Sequence, residues 1–331
     1  MMIFSHIPRV RLYDAPTPLE HALRYGGLFG YPHLYIKRDD AFPLGMGGNK
    51  VRTLEYLLGE AVSTGADVIV AAGGLQSNQC RLAAAAAARL GLECVLVHNG
   101  DEPDLYQGNM LLNHLAGAKS IFLGPVDEHQ RGRQTEEVAA GLKGQGKSPY
   151  IIKNSGRGAL GYASAALELH QQADERRIDL KHIGMVGAMA ATATGFVFGT
   201  AVLGKPFHVH VISVEYPKEY LVSLMGELWE DMVQITGIRP TKAMEETMTV
   251  YDEFLGDGYA APTALSMQAA YDLPRTEGIY LESIYTSKTL GGLRALIEQG
   301  TIPGEEAACF IHTGGLPSLF AQAEQYQPKR K

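Results

Sequence analysis

The sequence predicts an α/β protein with two open, twisted, mostly parallel-sheet domains that carry helices on both faces. Three observations lead to this class: short apolar runs alternate with helical patterns, the runs are rich in β-branched residues, and 331 residues exceed one typical core. Nearly unbroken apolar strands are typical of parallel sheets that are covered on both faces. Their alternation with helices indicates right-handed βαβ units.

Seven segments have the apolar, β-branched character of buried strands. They are His33–Lys37, Asp67–Ala72, Cys94–Val97, Tyr150–Lys153, Ile183–Val186, His208–Val214 and Ala308–His312. Apolar residues at helical spacing predict four helices, at Val51–Thr64, Asn78–Leu92, Leu160–Gln172 and Gly195–Leu203. Unbroken alanines from Ala83 to Ala88 predict that the second helix packs closely against its neighbours.

The domain boundary has to be placed by motifs, because no repeat, low-complexity block or long linker interrupts the sequence. We predict a small domain at residues 47–160. The segments on either side of it, 1–46 and 161–331, would form a large, discontinuous domain.

The composition argues against several classes of function. The formal net charge is -7, whereas a nucleic-acid surface needs clustered lysine and arginine. Cys80, Cys94 and Cys309 have neither CxxC nor CxxH spacing, so we predict no disulfide framework and no metal site. No segment approaches the ~20 apolar residues of a membrane span, and no signal-peptide core is present at the start. We therefore expect a cytoplasmic protein without nucleic-acid or membrane partners.

One segment joins a charged cluster, Lys37–Asp40, through the glycine loop Gly45–Gly48 to a helix that starts near Lys50. The helix macrodipole disfavours a lysine in the first turn, and such local inconsistencies often mark function. The same field favours a depressed amine pKa, which a Schiff-base lysine needs. A solvent-facing lysine on a surface helix is the alternative interpretation.

Two further segments place small and polar residues where a strand meets a helix, a junction that lines the ligand crevice of open α/β sheets. In Gly73–Gln79, Ser77 and Asn78 can cap the next helix or bind a carboxylate at its N-terminus. In Gly184–Gly195, backbone amides and two threonines can hold a phosphate, although such Ala/Gly runs also serve close packing.

A dinucleotide-binding fingerprint is also present as a string. Gly156–Gly161 reads G-x-G-x-x-G, follows the predicted strand Tyr150–Lys153, and precedes acidic residues by about 20 positions. The fingerprint normally opens a Rossmann domain, whereas this copy lies in mid-chain. A nicotinamide or flavin enzyme is therefore a remote alternative.

Several motifs occur in the order that characterises one enzyme family. They are Thr17-Pro18-Leu19, Ile36–Asp40, Gly47–Arg52, Gln76-Ser77-Asn78, Glu277-Gly278-Ile279, Ile284–Lys288 and Ile311–Gly315. Over nearly the whole chain the sequence resembles the D-cysteine desulfhydrase and 1-aminocyclopropane-1-carboxylate (ACC) deaminase family, a tryptophan-synthase-β-like, fold-type II group that uses pyridoxal 5'-phosphate (PLP). The resemblance implies an active site in the interdomain cleft, a small amino-acid substrate and a homodimer.

The resemblance also assigns roles to individual residues of the first two segments. Lys50 would be the Schiff-base lysine and the base at the substrate α-carbon, and Asn49 would bind the phenolic oxygen of PLP. Ser77 and Asn78, with the neighbouring Gln79, would hold the substrate carboxylate.

Later segments receive the remaining roles by the same resemblance. The phosphate of PLP would lie at Ala190, Ala191, Thr192, Ala193 and Thr194. Tyr285 and Tyr259 match two active-site tyrosines of the family, and Thr313 would face the pyridine nitrogen.

Thr313 has a chemical consequence. A hydroxyl does not keep a proton on the pyridine nitrogen as a carboxylate would, so the ring is a weaker electron sink and direct expulsion of a β-substituent is favoured. ACC deaminases have Glu after the tyrosine and Leu before the final Gly-Gly, where this chain has Thr286 and Thr313. This pattern resembles the D-cysteine desulfhydrase side of the family.

Three departures from the family pattern bear on the substrate. Gln79 replaces a histidine and can neither act as an acid nor carry charge. Ala190-Ala191 replaces Gly-Gly, and because alanine does not adopt positive φ cheaply, the loop should differ or hold strain. Lys153 and Arg157 would favour an acidic leaving group such as sulfonate, or are solvated surface residues.

The leading hypothesis is a PLP-dependent carbon–sulfur lyase and deaminase that converts D-cysteine to pyruvate, sulfide and ammonia. The alternatives within this fold are ACC deaminase, an L-cysteate sulfo-lyase-like enzyme and a specialised-pathway PLP enzyme. A PLP-binding protein with little catalytic activity is the alternative from another class.

Overall fold

The computed structural model describes residues 3–327. These residues form two compact units, the first from 3–7, 15–41 and 155–316, and the second from 8–14, 42–154 and 317–327. The motif-based boundary at 47 and 160 gave both chain ends to one domain, whereas here 8–14 and 317–327 belong to the second unit. Residues 1–2 and 328–331 of the predicted large domain lie outside the described residues.

The described residues contain ten β-strands. They are β1 (Leu19–His21), β2 (Leu34–Lys37), β3 (Val68–Gly74), β4 (Glu93–Asn99), β5 (Lys119–Phe122), β6 (Pro149–Ile151), β7 (Leu180–Gly187), β8 (His208–Ser213), β9 (Met248–Tyr251) and β10 (Ala307–Ile311). All seven predicted strands are present. The prediction did not include β1, β5 or β9, which have three or four residues each.

Between the strands, the same residues form twelve α-helices. They are α1 (Leu23–Gly27), α2 (Lys50–Ser63), α3 (Asn78–Leu90), α4 (Asn109–Leu115), α5 (Glu128–Gly144), α6 (Gly156–Glu175), α7 (Ala191–Val202), α8 (Lys218–Thr236), α9 (Met244–Thr247), α10 (Ala264–Glu277), α11 (Thr286–Glu298) and α12 (Leu316–Ala321). The four predicted helices correspond to α2, α3, α6 and α7. From residue 3 to residue 327, no helix has both the length and the apolar character needed to cross a membrane.

The large sheet lies in the first unit and has the strand order β1-β2-β10-β7-β8-β9. β1 pairs antiparallel with β2, and every other pair is parallel. The carboxyl ends of parallel strands meet at one edge of a sheet. The segments that follow β7 and β10, which include Ala190 and Thr313, are therefore brought to the same edge.

Helices cover both faces of the large sheet. On one face, α10 and α11 share a core with Ile36, Ile212 and Phe310 from the strands. On the other face, α7 contacts β7 and packs against α6 and α8. This arrangement confirms the predicted α/β class with mostly parallel strands.

The α6–α7 contact depends on glycine. A Cβ added to Gly195 would lie 2.0 Å from the carbonyl oxygen of Ala159, and one added to Gly199 would lie 2.5 Å from that of Ala163. Carbon atoms cannot approach an oxygen so closely, so only glycine allows the two helices to cross at this distance.

The small sheet lies in the second unit, and its order β5-β4-β3-β6 is parallel throughout. Alternate residues of β3 point to opposite faces. Ile69 and Ala71 pack into a core with α2 and α3, whereas Val68 and Val70 pack with Val138 on α5. Because both faces are covered, the strand is apolar at successive positions, which is the pattern that the sequence shows.

Candidate functional site

Lys50 is the first residue of α2, as predicted. The chain reaches it through Gly47 and Gly48, which have φ of 71° and 121°. Asn49 is the N-cap residue, and no side chain caps this helix by a hydrogen bond. The half-buried Lys50 therefore begins at a helix N-terminus, next to backbone that only glycine adopts readily.

Arg81, a residue that the sequence analysis did not single out, holds this glycine loop. Its side chain is 1% exposed, and its Nη2 donates to the carbonyl oxygen of Gly47 at 2.9 Å, while Nη1 donates to that of Gly45. Burial lowers the pKa of the guanidinium to about 10. An arginine directly before the apolar run of a helix predicted to pack closely is the signal that could have identified it, because a charge that becomes buried needs a specific partner.

Ser77 is the N-cap of α3, and its hydroxyl accepts a hydrogen bond from the Cys80 amide at 3.2 Å. The capping interpretation is therefore confirmed. A Cβ on Gly73 would lie 2.6 Å from Ser77 Oγ, so the glycine that ends β3 makes room for the cap. The start of α3 still presents amides at the carboxyl end of a parallel strand, where anions bind.

Asn78 is oriented by a second residue that the sequence analysis missed. Asn109 is fully buried, and its Nδ2 donates to Asn78 Oδ1 at 3.0 Å and to the carbonyl oxygen of Gln76 at 2.7 Å. The Asn109 amide in turn donates to Gln76 Oε1 at 2.9 Å. This contact fixes the orientation of the Asn78 carboxamide, with Oδ1 toward Asn109 and the side-chain NH2 turned away as a donor.

Gln79 is half-buried in the first turn of α3, and its side chain has no hydrogen-bond partner within the part of the chain that the structure describes. Its amide can both donate and accept. The histidine that it replaces in the family pattern would differ chiefly in being able to carry a proton.

The Ala190–Thr194 segment opens α7. Ala190 is the N-cap residue with φ 61° and ψ -41°, so the strain expected for alanine in place of glycine is present. No side chain caps this helix, and Ala191, Thr192 and Ala193 are all buried. Thr194 Oγ1 donates back to the carbonyl oxygen of Ala190 at 3.1 Å. A buried, uncapped helix N-terminus is an anion-binding arrangement.

Thr313 follows β10 and is 7% exposed. The residue before it, His312, fixes the turn: Gly314 N–H donates to its Nδ1 at 3.2 Å, so Nε2–H donates to the carbonyl oxygen of Tyr280 at 2.9 Å. Burial lowers the pKa of His312, which keeps the imidazole neutral and in this tautomer. The turn is thereby set for Thr313.

Tyr259 and Tyr285, which were predicted to share a pocket, are brought together. Their hydroxyl oxygens are 2.5 Å apart and the ring centroids 5.9 Å apart. Tyr285 is the residue before α11, and its pKa is raised well above its ordinary value by burial and by the neighbouring Tyr259. Tyr285 therefore remains protonated near neutral pH.

The charged cluster after β2 proves to be structural. Lys37 is 1% exposed and its Nζ donates to the carbonyl oxygen of Thr17 and to the side chains of Glu168 and Gln172 at 2.5–2.7 Å. Asp39 accepts from Thr17 and from a buried tyrosine hydroxyl. The motif therefore anchors β2 within the first unit.

The G-x-G-x-x-G string does not form a dinucleotide site. Gly156 begins α6, and its amide donates to Asp231 Oδ2 at 2.6 Å. A carboxylate therefore occupies the position where a pyrophosphate would have to bind. The preceding strand, β6, also belongs to the other compact unit, so strand and helix do not form one βαβ element.

The cysteines offer no reactive thiol. Cys80, Cys94 and Cys309 are buried and free, and burial raises their pKa values to about 11, 12 and 12. Thiols of such high pKa are poor nucleophiles and poor metal ligands. Within residues 3–327, no group of three or more His, Cys, Asp or Glu side chains is arranged to hold a metal ion.

Comparison with known proteins adds to this geometry. Residues 10–314 match the protein family described as Pyridoxal-phosphate dependent enzyme. The chain is similar to the crystal structure of an ACC deaminase homologue, with 31% sequence identity, a TM-score of 0.89, and coverage of 98% of this chain and 96% of that chain.

Two more distant structures share the fold. They are the processed form of threonine deaminase isoform 2 from Solanum lycopersicum, with 14% identity, a TM-score of 0.65 and coverage of 91% and 84%, and apo diaminopropionate ammonia lyase from Escherichia coli, with 16% identity, a TM-score of 0.66 and coverage of 92% and 84%. At these identities the likeness concerns the fold alone.

Proposed function

The chain belongs to the pyridoxal-phosphate-dependent enzyme family, and on that basis we propose that it is a lyase acting on a small β-substituted amino acid. Its first substrate would be D-cysteine, which together with one water gives pyruvate, sulfide and ammonia. The resemblance to D-cysteine desulfhydrases and the residues at positions 286 and 313 support this choice.

The residues present fit PLP. The buried N-terminus of α7 has no side-chain cap; the Ala191 amide donates to the Met189 carbonyl oxygen at 2.8 Å, and the amides and the Thr192 hydroxyl that follow it are donor groups suited to a phosphate. Lys50 stands at another helix N-terminus, where the dipole favours the uncharged amine that covalent attachment requires. We propose that Lys50 holds the cofactor covalently and that Ala190–Thr194 binds its phosphate.

When bound, PLP supplies the electron sink that makes the substrate α-carbon acidic. The amine of Lys50 would take the proton from that carbon and Asn49 would bind the phenolic oxygen. The amides at the start of α3, the Ser77 hydroxyl and the donor group of Asn78 would bind the substrate carboxylate. Since Arg81 holds the glycine loop before Lys50, it would fix the direction from which this amine approaches.

The tyrosine pair would act at the leaving group. A protonated hydroxyl can donate a hydrogen bond to a departing thiolate, and the raised pKa of Tyr285 keeps its proton in place at neutral pH. Thr313 would meet the pyridine nitrogen with a hydroxyl, which favours prompt loss of the β-substituent.

Position 286 supports the D-cysteine side of the family. Thr286 is fully buried, and its hydroxyl accepts from the Glu282 amide at 3.0 Å and donates to Glu282 Oε1 at 3.1 Å. A glutamate at this position, as in ACC deaminases, would place a second carboxylate against that of Glu282. This chain is therefore built for a hydroxyl at position 286.

The observation that carries the proposal is Lys50 as the first residue of a helix that no side chain caps. We expect Lys50→Ala to abolish the visible absorbance that attachment of PLP to a lysine gives, because the variant lacks the amine that we assign to this attachment. Lys153→Ala is the matched control, since Lys153 is an exposed lysine of the same unit that pairs with Glu136 at 2.6 Å. Retention of the band in the Lys50 variant would contradict the assignment.

The substrate is tested by adding D-cysteine to the PLP-loaded protein and assaying sulfide and pyruvate. Sulfide release with a change in the absorbance spectrum supports the proposed reaction. A PLP spectrum with no product from a panel of D- and L-amino acids would instead indicate a PLP-binding protein with little catalytic activity.

ACC deaminase is the second candidate, favoured by the 31% identity to an ACC deaminase homologue. Ammonia and 2-oxobutyrate from ACC, without sulfide from D-cysteine, would favour it. An L-cysteate-type substrate is less well supported, because the Lys153 charge is neutralised by Glu136 at the surface. The family resemblance also supports a homodimer, which light scattering of the purified protein would test.

A further inference from the structure

The tyrosine pair stands on irregular backbone. Tyr285 precedes α11 with φ -109° and ψ -62° and makes no capping bond to that helix. Tyr259 lies in an irregular loop in which Gly256, Gly258 and Ala260 all have positive φ. Two hydroxyls 2.5 Å apart on such segments need other groups to keep them in place.

Glu282 holds the Tyr285 side of the pair. The carboxylate is 1% exposed; Oε1 accepts from the amides of Tyr285 at 2.8 Å and Thr286 at 2.7 Å, and Oε2 accepts from that of Ile284 at 2.8 Å. Within the described part of the chain no cation pairs with it. Three consecutive amides are thereby aimed at one side chain, which fixes the backbone on both sides of Tyr285.

Lys288 holds the Tyr259 side. It lies three residues after Tyr285, is 1% exposed, and donates from Nζ to the carbonyl oxygens of Leu255 and Gly258, each at 2.8 Å. Gly258 immediately precedes Tyr259. The start of α11 thus holds the Tyr259 loop through Lys288, directly after Tyr285 at the N-cap.

We propose that Glu282 and Lys288 are positioning residues that set the Tyr259–Tyr285 hydroxyl pair for the leaving group. The proposal rests on the proposed function, in which this pair meets the departing substituent. It assigns Glu282 to Tyr285 and Lys288 to Tyr259.

A helix cap alone does not account for this arrangement. A helix can be capped by a short side chain such as serine, threonine or aspartate at its surface. Burial of glutamate and lysine side chains is not needed for capping, and burying a charge is energetically unfavourable. Here an anion and a cation are both buried within seven positions along the chain, and each is bound to backbone next to one tyrosine rather than to the other charge. Burial of two charges to fix the backbone beside the tyrosines is expected where a reaction depends on the positions of their hydroxyls.

The first test uses the apoprotein and needs neither cofactor nor substrate. Tyrosine ionisation is followed by ultraviolet absorbance on alkaline titration, and the Tyr285 contribution is the difference between each protein and its Tyr285→Phe partner. In the wild type this tyrosine ionises well above its ordinary pKa, because burial, Tyr259, Glu282 and Glu215 all oppose its ionisation. We expect Glu282→Gln to move that ionisation to lower pH, because it removes the negative charge of Glu282 and turns an amide donor toward one of the three backbone amides.

Two further variants guard against misfolding. Thr286→Val removes only the hydroxyl bonds to Glu282 and should shift the titration in the same direction by less. Lys288→Met should also shift it, through Tyr259. Glu227→Gln, an exposed glutamate on α8, is the matched control and should leave it unchanged.

The second test is steady-state kinetics of sulfide release by the holoenzyme. We expect Glu282→Gln and Lys288→Met to lower kcat by up to about 10²-fold with little change in KM, because displacement of a catalytic group costs this much. If folded variants lose activity while Tyr285 ionises at the same pH as in the wild type, the two residues are only structural and the proposal is wrong. Failure of the proposed function shows separately, as loss of the PLP spectrum or of sulfide release in the wild type.

Discussion

Arg81 carries a positive charge into the second unit, and among residues 3–327 it has no carboxylate partner. Carbonyl oxygens of the glycine loop take that place. Each bond to a charged donor is worth roughly 1.5–3 kcal/mol, more than a neutral one. The loop before Lys50 is therefore held by one buried side chain from a different helix.

Arg81→Met tests this dependence. Because each loop carbonyl left without a donor costs about 1–3 kcal/mol, we expect a lower free energy of unfolding in denaturant titration. PLP affinity, measured by absorbance titration, should fall as the loop loosens. Arg133→Met, an exposed arginine on α5 in the same unit, should change both quantities little. Equal behaviour of the two variants would contradict a specific role for Arg81.

Asn109→Asp tests the orientation of Asn78. An aspartate cannot donate to Asn78 Oδ1 or to the carbonyl oxygen of Gln76, and it adds a negative charge beside the proposed carboxylate site. We expect KM for D-cysteine to rise about tenfold, the equivalent of one lost hydrogen bond of ~1.4 kcal/mol, with a smaller change in kcat. Asn113→Asp, one turn later on α4, is the matched control. A fall in kcat at constant KM would argue against this role.

At the scale of elements, the α6–α7 crossing explains much of the small-residue pattern after β7. Gly195 and Gly199 admit the carbonyl oxygens of Ala159 and Ala163, and Gly184 in β7 admits the side chain of Leu293. The close-packing and phosphate-binding interpretations of Gly184–Gly195 are thus compatible. Packing uses the glycines, whereas the uncapped amides lie at the helix start.

Gly199→Ala should destabilise the protein. The new Cβ would lie 2.5 Å from the Ala163 carbonyl oxygen, so one helix has to move, at a cost of about 1–3 kcal/mol for overpacking. Gly226→Ala, within α8, is the control: no atom lies within 4 Å of its added Cβ, and alanine should stabilise that helix by about 0.5–1 kcal/mol. Denaturant unfolding of both variants measures the difference. Similar unfolding midpoints of the two variants would show that the α6–α7 crossing has room for a methyl group at position 199.

At the scale of the whole molecule, a histidine network makes stability depend on pH. His182 Nε2 lies 2.5 Å from Glu306 Oε2, and His182 Nδ1 lies 3.0 Å from His210 Nε2. His210 Nδ1 lies 3.0 Å from the Tyr251 hydroxyl, and the ring of His208 lies 5.0 Å away. Burial and the two neighbouring imidazoles lower the pKa of His210 to about 3.

The protein should therefore lose stability in mild acid. Unfolded His210 binds a proton near its ordinary pKa of 6.5, whereas folded His210 stays neutral down to about 3, so the unfolded state binds more protons between these values. Stability from this group is complete above pH 6.5 and falls by up to about 1.4 kcal/mol per pH unit below it. His210→Gln should flatten the pH dependence of the free energy of unfolding, and exposed His129→Gln should not.

Local pattern was enough for a large part of this protein. The seven predicted strands, the four predicted helices and Lys50 at a helix start depend on residue periodicity and on the order of glycine and polar residues, which neighbours along the chain define. The Ser77 cap was likewise expected from its residue type, and of the two outcomes expected at Ala190, a different loop or a strained one, the structure shows strain. The roles of the site residues in binding PLP and substrate stay predictions.

Only the tertiary structure decided what surrounds these residues. The bond of Arg81 to Gly47 spans 34 positions, that of Asn109 to Asn78 spans 31, and that of Lys288 to Gly258 spans 30. The strand order that places β10 between β2 and β7 likewise brings together segments that are far apart in the sequence. The sequence by itself determined the seven predicted strands, the four predicted helices and the helix starts at Lys50 and Asn78, because these follow from neighbours along the chain. The partners of buried charges and amides were decided by the packed fold, because those contacts form only when distant segments exclude water together.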